Sequence, residues 1–432
     1  MLLNQLLQNI PGVPASGSRG IAPGAEIRGV TSDPDRAGPE MLFAAIPERL
    51  VNDPLGVQTA VGRGAPAVIC RPGTPTPAGT HRITVNEPGI AFADAAAVLN
   101  GNPLARLELF RVSGTAKGAA TAAAFLHALL SEAGRKSALL TSTGGVFAGR
   151  VFPQNPVAAE SQEWQRLLAG HVRAGGESLV IEERPEVLEV LGSTPARRET
   201  RITPNCPRLI EPLATHWRGS RVKINTGGPE RIAHLGVVGI GNLAALNLAL
   251  SAAIAAGCPA SRLAAGLPTI TTPAGSMEPV SAGQPYGVFI DGATSAEEIA
   301  ELVREARALT SGSVILVTGA ASQTTSEERR LLGRAASAAD RLILTADNPR
   351  HTRFAGITAD ILRGTTRAAQ VEPERHKAIA SAIRQARTDD VVLIAGKGRR
   401  PVQEIEGTVM PWDDRLHARD ALSERGWVGD EL

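Results

Sequence analysis

The stretch RVSGTAKGAAT, residues 111–121, carries residue types that cradle phosphate: Gly114, Thr115, Lys117 and Gly118. A glycine-rich turn between a strand and a helix offers backbone N–H groups to phosphate oxygens. A lysine then reaches the terminal phosphate, and the next Ser or Thr holds Mg2+. Here the lysine precedes the last glycine and Ala119 stands where the hydroxyl belongs. Moving a lysine back by one helical position turns it by about 100° around the axis, away from that phosphate. A second group lies far along the chain: Asp347, Asn348, Pro349 and Arg350 in TADNPR, then Lys397, Arg399 and Arg400 in AGKGRR. An arginine can clamp a carboxylate bidentately. If these cations converge at the ends of two neighbouring strands, the pocket is all positive and prefers a dianion or an acidic protein surface to a zwitterion. The alternative is that Arg399 and Arg400 point to solvent or pair with Glu404 and Glu406, as long arginines usually do.

Both groups need strands that end at them. The run LELFRVSG leads into the glycine turn, and Ala119 to Ala133 has helical composition, which is the strand–turn–helix context of a phosphate loop. GNLAALNLALSAAIAAG (241–257) is a second helix with Gly at both ends. Beyond it, YGVFIDG (286–292), SVILVTG (313–319), RLILTADNPR (341–350) and DVVLIAGKG (390–398) are short β-type runs separated by helical stretches, each ending in turn residues. That alternation predicts a parallel, doubly wound sheet with a ligand crevice beyond its carboxyl ends. The first hundred residues, with MLFAAI (41–46) and PAVICRP (66–72) between Pro/Gly turns, suit a small α/β domain.

At 432 residues the chain calls for about three domains, at roughly 150 residues each. The expected spans are 1–108, 109–275 and 276–432. The balance of 45 basic against 43 acidic residues excludes a strong surface field, so neither nucleic acid nor membrane is expected as a partner. Cys70, Cys206 and Cys258 lie far apart and form no CxxC or Cys/His cluster, which fits a reducing cytoplasm and predicts no disulfide framework or zinc site. The N-terminal MLLNQLLQNIPG has no basic leader and reads as a first helix ending before Pro11.

Taken in order, TADNPR, AGKG and WDD (412–414) resemble the C-terminal signature of the Mur ligases, most closely the MurE type, and the resemblance extends over nearly the whole chain. It implies an α/β, three-domain architecture: an N-terminal UDP-sugar domain, then parallel sheets in a central ATPase-like domain and a C-terminal Rossmann-like domain for the incoming amino acid. The family reaction makes an acyl phosphate from ATP, which an amine attacks, and such chemistry relies on Lys and Mg2+ to neutralise phosphate charge. By this resemblance Ser32, in TSDPDRAGPEMLFAAIPE, belongs to the UDP-sugar segment, and Asn247 belongs to a Gly-x-x-Asn-x-x-Asn adenine motif. Asp291 would meet ribose, and Asp347 to Arg350 would take diaminopimelate. Glu182, in VIEERPEVL, stands either as the remnant of a metal ligand or as a solvated strand end.

Other family positions are replaced. Arg184 and Pro185 follow Glu182 in place of serines, Ser276 replaces an arginine, Thr294 a histidine and Thr352 a glutamate. Arg399 and Arg400 stand in place of His-Glu, and the segment 202–224 lacks the pattern around the family's metal-supporting lysine. The favoured reading is a MurE-like homologue without ligase activity, serving a binding, regulatory or scaffolding role linked to peptidoglycan synthesis. It assigns no metal and no cofactor, and its partners would be a protein of cell-wall synthesis, an anionic small molecule or a UDP-muramoyl peptide. The alternative is an active ligase, with ATP and Mg2+ as its cofactors.

Overall fold

The computed structural model describes residues 1–13, 24–50, 53, 55–114, 116–152 and 160–428. The chain divides into two compact units, residues 1–123 with 134–204, and 124–133 with 205–432. The fold is α/β with mainly parallel sheets.

The first unit holds two sheets. The smaller runs Gly29–Thr31, Met41–Ala44, Val68–Cys70 and Arg82–Thr84 in sequence order, all parallel. Helix Pro88–Leu99 covers it, because its alanines and Phe92 present a small, smooth surface to Val30, Leu42 and Ile69. The larger sheet places Glu108–Val112 between Arg198–Ile202 and Ser178–Glu182, followed by Ser137–Thr141 and two antiparallel strands, Gly144–Phe147 and Arg150–Phe152. Strand Glu108–Val112 feeds helix Ala116–Glu132 through Gly114, the strand–turn–helix that the glycine run predicts.

The second unit carries an antiparallel sheet, Ile210–His216, Gly219–Ile224 and Arg231–Leu235, beside helix Ile240–Ala255. Its larger sheet is ordered Glu278–Pro279, Gly287–Asp291, Val391–Ala395, Val314–Thr318, Arg341–Leu344 and Ala369–Val371, parallel except for the first strand. Side-chain alternation gives this sheet two apolar faces. Val314 and Leu316 join the cluster of helix Ala296–Ala308, while Ile315 and Val317 join that of helix Arg375–Gln385. Capping boxes at Ser295 with Glu298 and at Thr325 with Glu328 start the helices at Ala296 and Ser326. Among the described residues no helix is long and apolar enough to cross a membrane.

Candidate functional site

Strand register sets the first candidate site. Val112 pairs with Glu182, so the glycine turn and the Glu182 carboxylate open at the same end of one sheet. Gly114 lies at φ 153°, and a Cβ there would sit 3.9 Å from the Ala119 nitrogen, so the turn folds back on the helix start. Ala119 is buried. Gly118 lies in the first turn of the helix, half-buried. Thr115 and the side chain of Lys117 lie outside the described residues.

Glu182 is not a solvated strand end, because the flanking parallel strands and the residues after Thr141 enclose it completely, at 0% exposure. One of its oxygens accepts the Ser142 backbone N–H at 2.9 Å. The Arg184 guanidinium lies 3.8 Å from the other. Burial pushes its carboxyl above the usual range, against the lowering pull of Ser142 and Arg184. Elsewhere in this unit, Ser32 is buried in the loop after the first strand, where its hydroxyl and backbone N–H both donate to Glu160 and Arg49 donates to its hydroxyl.

In the second unit, Asn247 is engaged by the backbone of the 207–210 segment. Its carbonyl accepts Leu209 N–H at 2.7 Å and Ile210 N–H at 2.9 Å, and its amide donates to the Pro207 carbonyl at 3.0 Å. Asp291 is wholly buried and accepts the backbone N–H groups of Met277 and Ala293, both at 2.8 Å. It therefore ties the segment that enters the large sheet to the turn that follows Gly287–Asp291.

The cations expected in one positive pocket do not converge. Lys397 is sealed inside, 1% exposed, donating to Asn348 Oδ1 at 2.9 Å and the Val402 carbonyl at 3.2 Å, with Asp347 3.4 Å away. Desolvation is the main reason its ammonium falls to about pH 8, with Asp347 opposing. Gly396, at φ 112°, brings the chain so close to Asp347 that a Cβ would stand 2.7 Å from its Oδ2. Arg350 turns to Glu404 at 3.0 Å. Asn348 and Arg350, at φ 47° and 50° on either side of Pro349, fold the loop back so that Arg350 N–H donates to the Glu404 carbonyl. Arg399 is largely desolvated, which lowers its pKa, with Glu278 opposing, and Arg400 is exposed. The pocket fails because the hairpin Val402–Ile405 with Thr408–Pro411 supplies acceptors that take Lys397 and Arg350 separately.

Residues 277–398 match the family described as Mur ligase, glutamate ligase domain. A UDP-N-acetylmuramoyl-L-alanyl-D-glutamate–2,6-diaminopimelate ligase of Solibacter usitatus is 26% identical, covering 93% of this chain and 94% of its own. One of the same name from Streptomyces coelicolor is 27% identical, with 93% of each chain covered. Residues 277–398 thus match a Mur ligase domain, and most of the chain is similar to these ligases. The solved structure of a UDP-N-acetylmuramoyl-L-alanyl-D-glutamate–2,6-diaminopimelate ligase aligns over 97% of this chain and 99% of its own at TM-score 0.54 and 19% identity. MurF ligase of Thermotoga maritima in complex with ADP aligns over 87% and 94% at TM-score 0.53 and 13% identity. These two likenesses show the fold.

Within this Mur ligase fold the structure adds residues that sequence reasoning passes over. Arg375 and Asp414, both fully buried, form a bidentate pair at 2.8 and 2.7 Å, and Arg375 also donates to the Ala395 carbonyl at 3.0 Å. Trp412 Nε1 donates to the same Asp414 at 2.8 Å. The WDD motif is visible in the sequence, but Arg375 sits in a charged stretch, EPERHK, where nothing separates a buried arginine from its solvated neighbours. Glu160 escapes for the same reason, since its partners lie more than a hundred residues away.

Proposed function

We propose that this chain is a non-catalytic homologue of the MurE-type ligases, with a binding, regulatory or scaffolding role in peptidoglycan synthesis. One observation carries the reading: polar residues shared with the family signature are engaged by the fold itself. Asn247 holds the 207–210 backbone, Asp291 holds the turns at 277 and 293, and Lys397 lies against Asp347 and Asn348. Their retention is therefore explained by folding, without nucleotide or amino-acid substrate.

Among the described residues, those at the glycine turn do not fit Mg2+. The ion demands near-octahedral oxygen coordination and keeps several waters. Glu182 is fully enclosed with a guanidinium beside its second oxygen, and Ala119 supplies no hydroxyl. With the loop lysine displaced as well, transition-state charge on a transferring phosphoryl has lost its customary partners, and each ~1.4 kcal/mol lost is tenfold in rate.

The relatives named as diaminopimelate ligases favour the alternative, an active ATP-dependent ligase, and one experiment separates the two. Calorimetry of ATP with Mg2+, followed by an ADP-release assay with UDP-N-acetylmuramoyl-dipeptide and diaminopimelate, should give no micromolar binding and no substrate-dependent turnover. Mg2+-dependent micromolar affinity or sustained ADP release would establish the ligase instead.

A further inference from the structure

The hairpin Val402–Ile405 with Thr408–Pro411 is a sheet of two strands whose two edges differ. Trp412 N–H donates to the Pro401 carbonyl at 2.9 Å. Bonded and non-bonded pairs alternate along an antiparallel ladder, so Gln403 with Met410 and Ile405 with Thr408 are the bonded pairs. Glu404 and Val409 face each other without exchanging bonds, and the backbone groups of each point outward, to opposite edges. On the Glu404 edge these groups are taken. Its N–H donates to Asn348 Oδ1 and its carbonyl accepts Arg350 N–H, both at 3.1 Å. On the other edge the N–H and carbonyl of Val409 have no partner among the described residues.

That open edge is exposed throughout, and Val409 is 60% exposed. The register sets Val402, Val409 and Pro411 on one face, all of them exposed. Thr408, Val409 and Met410 include none of the charges that keep strand edges from pairing. The two ends of the edge carry opposite charges instead. Glu406 is exposed at the turn, and Arg400 is exposed at the far end, next to Pro401. Neither side chain has a hydrogen bond or ion pair among the described residues.

An edge that offers one N–H and one carbonyl from the same residue is self-complementary. In an antiparallel arrangement about a twofold axis, Val409 exchanges both bonds with its counterpart in a second copy. The same arrangement sets Glu406 of each copy opposite position 412 of the other, the end at which Arg400 stands.

We propose that this edge pairs two copies of the chain across a twofold axis into one continuous sheet, with Glu406 and Arg400 of each copy meeting Arg400 and Glu406 of the other. Pro411 has no N–H to give, so setting Val409 against Pro411 forfeits a bond and the Val409 register is favoured. A contact of one short edge lies at the small end of specific interfaces, so the dimer is weak and depends on concentration. The inference concerns this edge alone and holds whether or not the chain ligates.

The test is sedimentation equilibrium of the full chain from micromolar to millimolar concentration, where the unaltered chain is expected to show a monomer–dimer equilibrium. Glu406→Lys and Arg400→Glu, both at exposed side chains, should each weaken the dimer by about tenfold, because two attractive pairs become two repulsive ones. The double variant should restore it. Val409→Pro removes the outward N–H and should leave only monomer; if it fails to fold, the charge reversals still decide. A chain that stays monomeric at every concentration overturns the proposal. So does a dimer that both reversals leave unchanged, or a double variant that associates no better than the single ones.

Discussion

Burial of Lys397 makes the stability of the C-terminal sheet depend on pH in a direction opposite to that of an ordinary surface lysine pair. Its ammonium titrates near 8 in the folded chain against 10.5 when unfolded, with desolvation as the leading cause. Between those values the unfolded chain holds the extra proton, so stability rises with pH. At about 1.4 kcal/mol per unit, roughly 3 kcal/mol of penalty is present at pH 7 and about 1.4 kcal/mol remains at pH 9.5, a gain of about 2 kcal/mol. The comparison is with Lys397→Met made together with Asp347→Asn, so that no buried charge is left alone. Amide hydrogen exchange of Val391–Ala395, corrected for the intrinsic rate, reads this sheet without requiring the whole chain to unfold in one step. The wild-type strand should gain protection equivalent to about 2 kcal/mol between pH 7 and 9.5 relative to the double variant. Parallel pH profiles for the two proteins would show that Lys397 is not held in a desolvated site, and the argument would fail.

Glu182 and the Arg375–Asp414 pair give two further predictions. Glu182 has a raised folded pKa, so its folding contribution is present below the unfolded pKa and is lost as pH rises through the folded one. Glu182→Gln, which can still accept from Ser142, should therefore unfold at higher urea than wild type at pH 7.5 but at the same urea at pH 4. A destabilised variant at pH 7.5 would mean that the carboxylate serves a cation. Asp414→Asn leaves Arg375 buried without its countercharge and should cost about 3–5 kcal/mol, measured by exchange in the same sheet. A loss below about 1 kcal/mol, typical of exposed pairs, would contradict the burial.

Much of the fold was legible because local chemistry repeats. Short apolar runs ending in Gly, Asp or Asn became Gly287–Asp291, Val314–Thr318, Arg341–Leu344 and Val391–Ala395, and the Ala/Leu stretch became helix Ile240–Ala255. The antiparallel sheet from Ile210 to Leu235 was not legible. Its outer strands leave Leu213 and Ile232 exposed and alternate too weakly to separate them from loop.

By itself the sequence determined the parallel α/β character, the ends at which a crevice could open, and the order Gly114, Thr115, Ala116, Lys117, Gly118, Ala119 in the glycine turn. These depend on the order of residues along the chain, and packing cannot alter them. Only the tertiary structure decided which charges meet. Arg350 pairs with Glu404 from the far hairpin, Lys397 lies beneath Asp347, and Glu160 reaches Ser32 across 128 positions. A charge's partner and burial are set by which strand ends come together, and a buried arginine has the same sequence neighbours as a solvated one. The sequence therefore supplied the list of candidate residues, and the packing gave several of them, Asn247, Asp291, Arg350 and Lys397 among them, partners within the fold.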